Sequence, residues 1–246
     1  MESCDPVSAV THLGMAVWAA FAGLILYRLT DGHGAGRRWA VVAYVASMVA
    51  LYAASGAFHG LISLTQAVDD DLPRQEAVAS LWMFQKLDKS AIFLLILGSN
   101  VPVIVYLLRG AWRAVCLIGM AGFALFGIAA LWLLPTIPHE YLVAVYVGMG
   151  VCSLIPLPHY RQAVGWRGLG LIGLFAGVYI AGGAAEVLRW PVVVPGWFGP
   201  HETLHVADMT GTLLHFAFVL KYVVLGTAAE PEATVDLSDA DLAETS

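Results

Sequence analysis

The amino-acid sequence predicts an all-α bundle of seven membrane-spanning helices, and three observations carry that prediction. Of the 246 residues, 59% are hydrophobic and only 12% charged, whereas soluble domains carry about a quarter charged residues. Apolar runs long enough to cross a bilayer core, for which roughly 20 residues are needed, recur from the first decade of the chain to about residue 227. Between them lie mostly short stretches rich in Pro, Gly and charge. Backbone facing lipid must satisfy its own hydrogen bonds, which a helix does within one segment. Residues 1–227 therefore read as one membrane domain. The net charge of -6 is concentrated in 228–246, where Glu230, Glu232, Asp236, Asp239, Asp241 and Glu244 stand with no basic residue, an acidic tail expected to be disordered and without nucleic-acid partners.

Taken in order, the first run covers about 7–29. It is longer than a signal-peptide core and lacks a small-residue cleavage pattern, so it is expected to be retained as a span. The second, 39–65, follows the turn signal Asp31-Gly-His33-Gly-Ala-Gly. The third, 87–108, follows the one long connection, 66–86, which holds the acidic stretch around Asp69 to Glu76. Spans at 111–134, 139–157, 168–188 and 201–226 are separated by the Arg109 to Arg113 turn, Pro135 to Pro138, Pro156 to Arg167 and Pro191 to Pro200. The glycines of 119–127 and 168–183 lack the strand and lysine of a phosphate loop and are expected to let helices pack closely. Cys4, Cys116 and Cys152 show no CxxC spacing; neither a disulfide framework nor a thiolate metal site is indicated, and buried small side chains are expected.

Seven alternating spans fix which ends meet. On the N-terminal side, face A, lie the starts of spans 1, 3, 5 and 7 and the ends of spans 2, 4 and 6. Face A carries Arg74, Lys86, Lys89 and Arg189, against eight basic residues on face B, so face B is expected to be cytoplasmic.

The chemistry-bearing residues gather at face A. His59 closes span 2 in Ser55-Gly-Ala-Phe-His59, Asp88 opens span 3, and His201 and His205 open span 7 in His201-Glu-Thr-Leu-His205. Residues four apart share a helix face, so His201 and His205 can address one ion, and His59 completes a three-histidine set with one position left for water. A lone histidine or aspartate near a helix end is ordinarily interfacial, and Asp88 alone could pair with Lys86 or Lys89; three histidines at one face are less easily dismissed. Zinc held this way lowers the pKa of its water to roughly 7, with Asp88 as the candidate proton acceptor. Ser55, one turn before His59, is placed to bond the water, a carbonyl oxygen or a ligand's ring nitrogen.

These blocks carry a resemblance. Ser-x-x-x-His at 55–59, the run from Leu87 through Asp88 to Pro102, and His201-Glu-x-x-His205 followed by His215-Phe resemble the haemolysin III family and the related progestin and adiponectin receptor proteins, in the family's order. The resemblance implies a seven-span zinc protein of the plasma (inner) membrane, with His59, His201 and His205 as ligands and Asp88 beside the metal-bound water. The alkaline ceramidases share the same plan, which implies hydrolysis of a lipid amide or ester, with a membrane lipid as substrate or ligand and zinc-bound water as nucleophile. In the animal receptors the zinc lies toward the cytoplasm, opposite to the orientation that the charges of this chain predict. One departure stands out: Asp208, about a turn deeper than His205 on the same stripe, where similar proteins tend to carry an apolar residue. An ionisable group at that depth is a functional candidate, here for holding a ligand histidine's ring N–H or a proton near the metal; the ordinary alternative is a carboxyl hydrogen-bonded to span 6 or to Thr210.

Four rival readings remain. A membrane receptor or lipid sensor with structural zinc would need the same ligands without turnover. The pattern His201-Glu202-x-x-His205 also fits a metalloprotease helix with Glu202 as base, though three fixed positions arise often by chance. A retinal protein would need Lys221 near Asp88, yet they lie at opposite faces; Lys221 is expected to snorkel. Nothing in the spans resembles a secreted cytolysin, which leaves the haemolysin-type reading weakest. Of the other histidines, His12 and His139 fall near face A as substitute ligands, His33 and His159 fall in loops at face B, and His215 is expected to be a hydrogen-bonded core residue. Glu140 and Glu186 are placed to line the approach to the site.

Overall fold

The computed structural model describes residues 6–66, 71–195 and 197–226. The acidic tail over 228–246, Cys4 and the acidic residues Asp69 and Asp70 lie outside them. Among the described residues the chain is all-helical: α1 (Pro6–Arg28), α2 (Ala35–Gln66), α3 (Asp71–Leu107), α4 (Gly110–Leu133), α5 (His139–Cys152), α6 (Leu157–Leu188) and α7 (Pro200–Phe218), with a π-helical turn over Val219–Val224. Six of these helices are long and apolar enough to cross a membrane, which makes this a multi-pass helical membrane protein. The exception is α5. Its 14 residues rise about 21 Å at 1.5 Å per residue, short of a hydrocarbon core about 30 Å thick.

The boundaries follow local chemistry, and two of them correct the sequence reading. The stretch expected as a long connection is helical from Asp71, so Asp88 lies well inside α3 rather than at its start. Hydropathy marks where a helix enters lipid; good helix formers such as Gln75, Glu76 and Ala77 carry it further into water. Similarly, α6 begins at Leu157, with Pro158 in its first turn, and is interrupted at Gly165, whose φ of 64° suits a residue without Cβ. His159 therefore stands in a helix, not a loop.

Bilayer tails are as apolar as leucine, so these helices associate through shape. The core is built around α2, which packs on α1 and α3, while α6 pairs with α7; Tyr44, Met48, Phe93, Ile104 and Phe218 are fully buried there. Close approach rests on few glycines. A Cβ at Gly182 would meet Ala207 at 2.6 Å, and one at Gly211 would meet the Tyr179 ring at 2.8 Å. The glycine-stripe expectation holds at Gly127, Gly168, Gly182 and Gly183, whereas Gly119, Gly122, Gly170, Gly173 and Gly177 have nothing within 4 Å. Of the cysteines, Cys116 is partly buried and Cys152 exposed, so the expected burial is incomplete.

The outer surface is apolar: Val10, Phe21, Ile118, Phe126 and Leu133 are 69–82% exposed, a face that water would not tolerate and lipid does. Exposed Trp82, Trp132, Trp190 and Trp197 at one end, and Trp39, Trp112 and Trp166 at the other, suit two interfacial belts.

Candidate metal centre

α7 begins where Gly199 and Pro200 break the preceding loop. Pro200 occupies the first helical turn, where its missing N–H is no loss, and the carboxylate of Glu202 accepts the Gly199 N–H at 2.6 Å. Glu202 therefore caps the helix, the structural role that competes with a metalloprotease base. This start puts His201 and His205 in the first two turns, one above the other on the inner face.

α2 supplies the third imidazole. His59 is 5% exposed and His205 9%, and His201 is about one-third exposed at the rim. One ring nitrogen from each of His59, His201 and His205 lies within 4.8 Å of the other two, and the Nε2 atoms of His201 and His205 are 2.9 Å apart. Tetrahedral zinc with Zn–N near 2.0–2.1 Å sets its ligand nitrogens about 3.3 Å apart, so these separations bracket what one divalent cation needs. Small rotations about the side-chain torsions bring the nitrogens to that spacing. The three histidines predicted as ligands are thus brought together and can hold a metal ion.

Around them the shell is asymmetric. On the rim, Nδ1 of His201 faces Glu186 Oε2 at 3.5 Å, and Glu186 Oε1 accepts from or pairs with His139 Nε2 at 2.9 Å. In the interior, Nδ1 of His205 lies 2.7 Å from Nε2 of His12, from α1. The structure therefore gives Glu186, His139 and His12 positions that the sequence reading left as approach lining or substitute ligands. Their signal was their common face; what was missing was which helices stand side by side.

Asp88 reaches the site from α3. It lies beside Ser55, one turn before His59 on α2, and neither Lys86 nor Lys89 forms an ion pair with it among the described residues. Asp208 lies beside Tyr52, whose hydroxyl donates to Thr212 Oγ1 at 2.8 Å, and Tyr179 joins that oxygen at 3.0 Å.

Ser55, Asp88, Asp208, Tyr179, Glu186 and the five histidines of this end open on one cavity of about 1350 Å³. Its walls also include Leu95, Ile96, Val103, Val143, Leu154 and Ile172. From Asp88 to Val103 it follows α3 for about 22 Å at the helix rise. A polar end thus continues into a long tunnel with mostly apolar walls.

The family model described as haemolysin-III related matches residues 3–216 of this chain.

Proposed function

Because the chain belongs to the haemolysin-III-related family, and because three imidazoles and a carboxylate meet at the mouth of an apolar tunnel, we propose that it is a seven-span, zinc-dependent hydrolase of a lipid amide or ester. The observation that supports this reading best is the convergence of His59, His201 and His205 within 4.8 Å, with Asp88 and Ser55 lining the same cavity beside them. A set of three neutral imidazoles suits zinc, and three protein ligands are the number that leaves a position open for catalysis. When bound, zinc supplies a Lewis acid that polarises a carbonyl and acidifies water.

The protein's own groups do the rest. The apolar wall from Leu95 to Val103 holds the acyl chain and keeps bulk water out, so the carbonyl end of the lipid comes to rest beside the histidines. Asp88 Oδ accepts the proton of the attacking water and returns it to the departing nitrogen or oxygen. The Ser55 hydroxyl, bonded to Asp88, fixes the carboxylate's direction. Glu186 stands in the last turns of α6 at this same end, and with His139 it shapes the rim through which a headgroup leaves.

The test is release of free fatty acid from a ceramide-like substrate by purified protein. Asp88→Asn is expected to lower release about 10²–10⁴-fold, the usual worth of a general base, with zinc content unchanged. Release unaffected by that substitution would rule out Asp88 as the base. Full zinc without release in the unaltered protein would favour a lipid sensor in which the metal ties α2 to α7. The seven-span arrangement, with α5 crossing despite its length, places the two termini on opposite sides. Reporters fused to either end should report a cytoplasmic C-terminus and an external N-terminus, as the basic residues of face B require; both termini on one side would leave six spans.

A further inference from the structure

The site reading above leaves one buried group without a task. His12 is 2% exposed, comes from the first helix, and is separated by 193 positions from the residue it touches. Its ring stands edge-on to His205 with centroids 4.2 Å apart and edge-on to Tyr52 at 5.3 Å. We propose that His12 is a positioning residue that accepts the Nδ1–H of His205 and so presents Nε2 of His205 to the metal.

The two ring nitrogens of His205 face different partners. Nε2 of His205 faces Nε2 of His201 at 2.9 Å, so the metal-facing edge of His205 is its Nε2 edge. A neutral imidazole that ligates through Nε2 carries its hydrogen on Nδ1. That Nδ1 lies 2.7 Å from Nε2 of His12, within N–H···N hydrogen-bond range, and the acceptor lone pair must then be on His12. His12 cannot be a fourth ligand in this geometry, because it stands behind His205 on the edge opposite the metal; its ring centroid is 6.3 Å from that of His59.

Ligand histidines are usually backed by a carboxylate, a carbonyl or water. Here one ligand, His201, has the carboxylate of Glu186 nearby at 3.5 Å, and a second, His205, has a neutral imidazole. A neutral acceptor orients the ring as a carboxylate does, yet adds no negative charge to the buried side of the site. The cation's charge is therefore left to act on the water, carbonyl or Asp88 that share the cavity. The contact also makes α1, which packs mainly on α2, part of the metal centre.

The inference rests on the zinc reading, and the experiment separates the two. Zinc affinity of the full chain in detergent is measured by chelator competition for the unaltered protein, His12→Leu and His12→Gln, together with thermal melting of each metal-stripped protein and the visible spectrum of each cobalt-substituted one. Leucine fills the space without accepting a hydrogen bond and should weaken zinc binding 10–100-fold, the usual cost of losing such a partner, and shift the cobalt bands. Glutamine accepts through Oε1 and should recover most of the affinity and the original spectrum, with the melting of the stripped proteins unchanged. Equal zinc affinity for His12→Leu and the unaltered protein would overturn the role of His12 while leaving the site reading intact. So would a glutamine variant no better than leucine, or a loss of affinity matched by a lower melting temperature of the stripped protein. An unaltered protein that takes up no zinc would remove the site reading itself, and this inference with it.

Discussion

Five of the eight histidines, His12, His59, His139, His201 and His205, stand at the end of the bundle where α2 and α6 finish, and three lie toward the other end. The distant three settle on aromatic neighbours: His33 Nδ1 on the Tyr106 hydroxyl at 2.9 Å, His215 Nδ1 on the Tyr44 hydroxyl at 3.1 Å, and His159 against the Trp112 ring. The clustered five settle on one another and on Glu186, with ring nitrogen facing ring nitrogen at 2.7 and 2.9 Å. A phenol can satisfy an imidazole nitrogen with its own hydrogen. Two facing imidazole nitrogens share a single hydrogen, whereas a divalent cation takes a lone pair from each of several rings at once. The same residue type thus packs on aromatic rings at one end and gathers into a cluster that can hold a metal at the other, and the neighbours decide which.

The largest expected effect tests that contrast directly. His205→Ala should lower zinc affinity more than about 100-fold, beyond the range for outer partners, whereas His215→Phe should leave it unchanged; metal content after equal chelator exposure measures both. Similar losses in the two variants would erase the distinction between the ends. A smaller effect is expected one layer out. Glu186→Gln keeps the shape of the side chain but removes the charge facing His201, and should weaken zinc binding about 10–100-fold. Glu140→Gln serves as the control, since Glu140 lies exposed at the same rim and should change nothing. Equal behaviour of the two glutamates in the chelator titration would reduce Glu186 to a surface group.

The three-histidine cluster was legible in the sequence because two simple constraints sufficed: alternation of spans put His59 at the same face as the last helix's start, and a spacing of four put His201 and His205 on one side of it. The core role of His215 was legible from distance along that helix. Other features were hidden for reasons of geometry. Alternation gives the face of a residue but not its angular position around the bundle, so the pairing of His12 with His205 and of Glu186 with His201 depended on knowing that α1 and α6 both flank α7. Helix ends were misplaced where polarity and helix propensity part company, as over Asp71 to Lys86, and where a single glycine, Gly165, interrupts a helix that prolines had suggested was a loop. The end of α5 was placed too late because apolar residues continue past Cys152 into Leu154 and Ile155, where the backbone has already turned.

The smallest expected effect concerns Asp208, the carboxyl that most resembled a partner for the metal ligands when only spacing was available. It lies beside Tyr52, whose hydroxyl donates to Thr212, with Tyr179 on the same Oγ1, a polar network next to the histidine cluster. Asparagine keeps an acceptor oxygen and fills the same volume. Asp208→Asn should therefore shift zinc affinity less than about tenfold, below the range for a group that holds a ligand. Because Asp208 also faces the cavity, any larger change should appear in turnover of the lipid substrate and not in metal retention. If Asp208→Asn instead matches Glu186→Gln in the chelator titration, the network around Tyr52 reaches the metal after all, and the division between the ligand rings with their direct partners and the polar groups beyond them has been drawn one residue too early.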